Sequence, residues 1–167
     1  MRVTDMEIVD IKVDYAKAGL EDPNYQPTLS CFVPKVYEET GSRKRGAVVI
    51  CPGGGYDWCS EREADPVAYR FLGAGFAAFV LRYSCCGKKF PTDLLECAAA
   101  VKYVRENAEN FDIDPDKIFV MGFSAGGHLA ASMANLWNMP LLAETLGCDS
   151  ETLRVNGSVL CYPVILS

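Results

Sequence analysis

The sequence predicts an α/β protein: a mostly parallel, doubly wound sheet between two helical layers. Short apolar runs of strand length recur along the 167 residues, segments of helical periodicity separate them, and Gly, Pro and Asp fall at the junctions. Continuous apolar strands mark a parallel sheet covered on both faces. Strand–helix alternation is how such a three-layer sheet is built. The length suits a single domain, residues 1–167, with a sizeable core.

Residues 6–15 alternate well enough for a strand. Pro23 and Pro27 interrupt the chain, and Leu29-Ser30-Cys31-Phe32-Val33 reads as a second strand before Pro34. Short polar connections pair these early strands antiparallel. Residues 35–46 form a polar turn region, whose cluster Arg43-Lys44-Arg45 solubilises a loop. The run from Gly46 to Cys51 is a central parallel strand, ending in Pro52-Gly53-Gly54-Gly55-Tyr56. Ser60-Glu61-Arg62-Glu63 has the spacing of a capping box. Asp65 at an N-cap with Pro66 at N1 starts a helix that runs to Gly73. Phe76 to Leu81 is the next buried strand. Thr92 caps a helix whose Leu94, Leu95, Ala98, Val101, Val104 and Ala108 share one face. Asp114-Pro115-Asp116 bounds the strand Ile118–Met121. A helix rich in small residues follows, then a polar interval around Asp149-Ser150-Glu151, and a last strand at residues 155–162.

Composition narrows the function. Half the residues are hydrophobic and 23% charged, and 16 Lys+Arg against 22 Asp+Glu give a formal charge of −6. That balance presents no basic face for nucleic acid or anionic membrane. The N-terminus lacks a signal-peptide core, and no apolar run is long enough to span a membrane. The eight cysteines have neither zinc spacing nor the setting of a disulfide framework, so they read as reduced thiols with no metal or cofactor. The expected location is the cytoplasm, the alternative being a secreted protein whose leader has been removed.

Chemistry is concentrated in Gly122-Phe123-Ser124-Ala125-Gly126, a Gly-x-Ser-x-Gly pattern between a predicted strand and a predicted helix. Such a turn lifts the serine hydroxyl above the sheet in a strained conformation. Gly122 and Gly126 leave room for neighbouring elements, and the helix N-terminus faces the position where an oxyanion forms. Gly53-Gly54-Gly55 is either a plain loop or a cradle of backbone N–H groups. Its pairing with Ser124 favours the cradle, and the phosphate-loop spacings are missing. Both segments follow strand C-termini, where ligands of doubly wound sheets bind.

These residues resemble a known family. Ile50-Cys51-Pro52-Gly53-Gly54-Gly55-Tyr56, Glu63 with Pro66, Arg82-Tyr83-Ser84, and Gly122 through Leu129 look like the esterase/lipase family of the α/β-hydrolase fold. Within it they are similar to the carbohydrate-esterase branch of acetyl-xylan and feruloyl esterase relatives. Pro52 stands where hormone-sensitive-lipase relatives have His. The resemblance covers about residue 28 to the end. It implies a serine hydrolase of small carboxylic esters, acting through an acyl-enzyme on Ser124, with the N–H groups of Gly54, Gly55 and Ala125 as oxyanion hole. An arylformamidase- or peptidase-like hydrolase stays open beside it, as does a catalytically incomplete half-fold.

The acid and base of such a triad follow later strands, which this chain is not expected to contain. The fold is therefore expected to be C-terminally incomplete, and the chain as given inactive or weakly active. The single histidine, His128, belongs to the serine motif and lies one turn into its helix. It reads as a hydrogen-bonded support rather than the base. Tyr56 either shapes the acyl pocket or packs. Asp57 and Glu63 read as a turn residue and a helix cap, and nothing around Cys59 suggests activation. The last strand leaves an open edge, which is expected to pair copies of the chain into a homo-oligomer.

Overall fold

The computed structural model describes residues 6–39, 41 and 43–165. Met1–Asp5, on which the leader reading falls, and Thr40, Ser42, Leu166 and Ser167 lie outside the described residues.

Six strands form one sheet: β1 (Glu7–Asp10), β2 (Thr28–Phe32), β3 (Arg45–Cys51), β4 (Ala77–Arg82), β5 (Ile113–Phe123) and β6 (Gly157–Cys161). Their spatial order is β1-β2-β4-β3-β5-β6. β1–β2 and β2–β4 are antiparallel, whereas β4–β3, β3–β5 and β5–β6 are parallel. The apolar runs form the centre because strands with both faces covered have no polar side to show. Ala47, Val49 and Cys51 of β3, with Phe79 and Leu81 of β4, face the larger core. Val48, Ile50, Ala78 and Val80 face the smaller one.

The helices are α1 (Asp65–Gly73), α2 (Thr92–Glu106), α3 (Ala125–Leu136), α4 (Pro140–Leu146) and α5 (Ser150–Leu153). Ala68 of α1 packs in the smaller core, while Leu94 of α2, Leu129 of α3, Leu142 of α4 and Leu153 of α5 pack in the larger. The two helical layers predicted from sequence are therefore present. β3 lies between β4 and β5 with crossovers leaving to opposite faces, so its C-terminal end opens at the switch point of the sheet.

Local readings are corrected at several points. No capping box forms at Ser60: a 3-10 turn covers Glu61–Glu63 with no side-chain cap, because the Glu63 carboxylate is engaged by the glycine loop. Asp65 is the first helical residue, not the cap, and its carboxylate meets Arg82 at 3.2 Å. Thr92 is likewise inside α2, which starts after Pro91 with no side-chain cap. The segment Asp114–Lys117 bulges out of the β3–β5 pairing, which passes from Arg45↔Ile113 to Ala47↔Ile118, so it interrupts β5 instead of bounding it. The basic cluster is an anchor: Arg45 meets Asp112 at 3.3 Å, with both side chains largely buried, and Lys44 pairs with Glu109. The expected polar interval around Asp149-Ser150-Glu151 contains α5, and α4 precedes it. Among the described residues no helix is long and apolar enough to cross a membrane.

Candidate active site

Ser124 stands between β5 and α3 with φ 51° and ψ −117°, a left-handed conformation that a non-glycine residue adopts only when its surroundings enforce it. Here β6 encloses it. Ser124 N–H donates to Cys161 O at 3.0 Å, and Val164 N–H donates to Ser124 O at 3.1 Å. The flanking glycines follow from contact distances. A Cβ on Gly122 would lie 1.9 Å from Gly126 O, and one on Gly126 would lie 2.1 Å from Cys51 O. The turn can thus press against the end of β3 only with hydrogen at both positions.

The glycine loop lies beside this elbow. A Cβ on Gly53 would come within 3.1 Å of Ser124 Cβ, and Gly54 (φ 134°) and Gly55 (φ 66°) both occupy positive-φ conformations. Ser60 N–H closes the loop onto Gly53 O at 2.8 Å. The N–H groups of Gly54, Gly55 and Ala125 donate to no acceptor among the described residues. Three donors next to one raised serine are what an oxyanion site needs.

Two hollows flank Ser124 and Ala125. One, of about 260 Å³, is lined by Gly55, Tyr56, Ala125, His128, Val164 and Ile165. The other, of about 270 Å³, is lined more polarly, by Ser124, Asp57, Ser60, Arg62, Glu63 and Tyr162 with Trp58 at its wall. Trp58 is 62% exposed.

Residues given another role or no role in the sequence hold this geometry. Glu63, 9% exposed, accepts Gly53 N–H at 2.8 Å through Oε2 and the Tyr162 hydroxyl at 2.9 Å through Oε1. One carboxylate therefore ties the glycine loop to the end of β6. Tyr83 donates to Pro52 O at 2.7 Å. Buried Glu96 accepts Ser84 N–H at 2.6 Å, Ser84 Oγ–H at 2.6 Å and the Tyr15 hydroxyl at 2.8 Å. Burial raises the Glu96 carboxyl above its usual value, with these hydrogen bonds opposing. The available signal was a carboxylate at an otherwise apolar stretch of α2, since a buried carboxylate requires partners.

Tyr56 and His128 come together: the Tyr56 hydroxyl and His128 Nδ1 share a 2.7 Å hydrogen bond, and the rings meet edge to face. Ser124 Oγ makes no hydrogen bond to a described side chain. Burial pushes the Asp93 carboxyl up, with the Leu94 N–H and the charge of His128 opposing. Asp57 does not join Glu63 as a carboxylate pair, because both Glu63 oxygens are taken.

Comparison with known proteins agrees with this architecture. Residues 35–164 match the family described as BD-FAE. The chain is 34% identical over 155 residues to an endo-1,4-beta-xylanase B of Butyrivibrio fibrisolvens, covering 85% of this chain and 23% of that protein. It is 31% identical over 138 residues to an acetylxylan esterase of Xylanibacter ruminicola, covering 82% and 25%. The structure of MGS-M1, an α/β hydrolase enzyme from a Medee basin deep-sea metagenome library, superposes with a TM-score of 0.74 at 38% identity, over 96% of this chain and 58% of that one. The chain thus spans about a quarter of the length of these two curated relatives.

Proposed function

The chain belongs to the BD-FAE family of α/β-hydrolase esterases, and from that premise we propose that Ser124 is the nucleophile of a hydrolase acting on small carboxylic esters through an acyl-enzyme. The observation that carries the reading is the strained Ser124 elbow beside three unengaged N–H donors.

In this mechanism Ser124 Oγ attacks the ester carbonyl carbon while a general base removes its proton. The carbonyl oxygen becomes an anion and accepts from the N–H groups of Ala125, Gly54 and Gly55. The C–O bond to the alcohol then breaks, the alcohol leaves with a proton, and water repeats the attack to release the acid. The dipole of α3 points its positive end at the same oxygen. The base is assigned to no residue of this chain, because Ser124 Oγ makes no hydrogen bond to His128, whose Nδ1 pairs with Tyr56, or to any other described side chain. The 167 residues alone accordingly retain only the residual catalysis of the cradle.

The Tyr56–Ile165 hollow suits the acyl group, and the Trp58–Arg62 hollow suits the alcohol. An exposed indole fits the apolar face of a sugar ring. With an acetylxylan esterase among the relatives, this supports an acetylated sugar as substrate.

The test is hydrolysis of p-nitrophenyl acetate and of acetylated xylo-oligosaccharides by the full-length protein, with amide analogues as controls. Ser124→Ala is expected to lower kcat by several orders of magnitude while the far-UV spectrum is kept, and a fluorophosphonate is expected to label Ser124. Turnover undiminished in Ser124→Ala would overturn the assignment.

A further inference from the structure

Two close thiol pairs lie outside the serine site, and they differ in access. Cys51 Sγ and Cys97 Sγ are 3.8 Å apart and wholly enclosed. Cys59 Sγ and Cys85 Sγ are 4.0 Å apart and half-buried, in the wall of an open hollow of about 400 Å³ that also includes Arg82, Lys88 and exposed Cys86. We propose that Cys59 and Cys85 form a hydroperoxide-reactive dithiol that closes to a disulfide, joining the glycine-bearing loop to the segment after β4.

The two segments are already docked. Cys86 N–H donates to Tyr56 O at 2.7 Å. Both thiols turn to the same acceptor, Tyr83 O, at 3.7 Å from Cys59 Sγ and 3.5 Å from Cys85 Sγ. A disulfide holds its sulfurs about 2 Å apart, so closure requires the 4.0 Å gap to shrink by roughly half.

The electrostatics give the two sulfurs different roles. Hydrogen bonding with Cys85 holds the Cys59 thiol below the usual range, and the Arg82 guanidinium acts in the same direction. The same contact, with burial, pushes Cys85 up. Cys59 is thus the better thiolate and Cys85 the resolving thiol.

The chemistry balances with a hydroperoxide as oxidant. The Cys59 thiolate attacks the terminal peroxide oxygen and the O–O bond breaks. The alkoxide, or hydroxide from hydrogen peroxide, leaves and takes a proton, and Cys59 becomes a sulfenic acid. Cys85 sulfur then attacks Cys59 sulfur, the S–O bond breaks, and the leaving hydroxide takes the Cys85 proton to become water. Two thiols and one hydroperoxide yield one disulfide, one alcohol and one water.

The test treats the full-length protein with one equivalent of hydrogen peroxide, followed by intact mass and a tryptic map. The expected result is loss of two hydrogens and a cross-link between peptides 46–62 and 83–88. The link should survive Cys86→Ser and vanish in both Cys59→Ser and Cys85→Ser, each checked for its native far-UV spectrum. If either serine variant fails to fold, the wild-type map and Cys86→Ser still decide. Cys51 and Cys97 should alkylate only after unfolding. A link that persists in Cys85→Ser, a vicinal Cys85–Cys86 bond, a sulfinic acid at Cys59 without a link, or no reaction each overturns the proposal. The readout is independent of ester hydrolysis, so it stands or falls apart from the role of Ser124.

Discussion

Replacing Glu63 with alanine tests whether one carboxylate holds the glycine loop against the elbow. The Gly53 N–H bond to Oε2 is buried and charge-assisted, 2.8 Å long. A bond of this kind contributes about 1.5–3 kcal/mol, and its loss leaves a buried donor unpaired. The Tyr162 bond counts for less. Tyr162 is 65% exposed, so water replaces Glu63 there and the loss is about 0.5 kcal/mol at most. Glu63→Ala is therefore expected to destabilise the protein by about 2–3.5 kcal/mol. Glu63→Gln separates charge from connectivity. Its amide oxygen faces Gly53 N–H and its NH₂ faces the Tyr162 hydroxyl, which turns from donor to acceptor. Both contacts survive, and the cost falls to about 1 kcal/mol. Urea unfolding followed by tryptophan fluorescence measures both. In the full-length protein, Glu63→Ala should also lower kcat more than it raises KM, since displaced donors act on the transition state. An alanine variant within about 1 kcal/mol of wild type, or a glutamine variant as damaging as alanine, refutes the reasoning.

The other predictions concern the interior and the edge. Burial raises the folded-state pKa of Glu96 above its usual 4.5, so its contribution to stability is complete below that value and is lost as pH rises through the folded pKa. Glu96→Gln, which keeps an acceptor for Ser84 N–H, should gain on wild type as pH rises above 4.5, and parallel urea profiles for the two proteins refute this. Self-association of the 167-residue chain is expected through β6, which pairs only with β5 among the described residues and carries Val159 and Leu160 at 44% and 40% exposure; a monodisperse monomer in sedimentation at micromolar concentration counts against it.

The sheet and the elbow were legible because their signals are local. An apolar run such as Val48-Val49-Ile50 has only a buried strand to occupy, and Gly122 and Gly126, where a Cβ would lie within 2.1 Å of a carbonyl oxygen, admit no substitute. What escaped was set by distant partners. Ser60-Glu61-Arg62-Glu63 has the capping-box spacing, but the Gly53 N–H, ten residues back, takes the carboxylate. Glu96 disappears in the periodicity of α2 because that pattern records apolar positions, not what a lone acid binds. Helix α4 carried a readable signal, Pro140 at its start and Gly147 at φ 63° past its end. At seven residues it is too short to show a period. The Cys59–Cys85 proximity spans two loops and left no trace in spacing.

The clasp of β6 around Ser124 makes the site a matter of timing as well as shape. Chains leave the ribosome N-terminus first, so the serine, the glycines and Glu63 all emerge before Cys161, Tyr162 and Val164. Until those residues arrive, nothing accepts the Ser124 N–H, its carbonyl has only the His128 N–H at 3.1 Å, and the Glu63 carboxylate lacks the Tyr162 hydroxyl. The strained serine costs about 1–3 kcal/mol, and a nascent chain without β6 lacks the Cys161 and Val164 bonds that help to offset it. Ser124 is thus born slack and is drawn into its raised posture as the strand synthesised after it docks, which ties the set of the elbow to the arrival of β6.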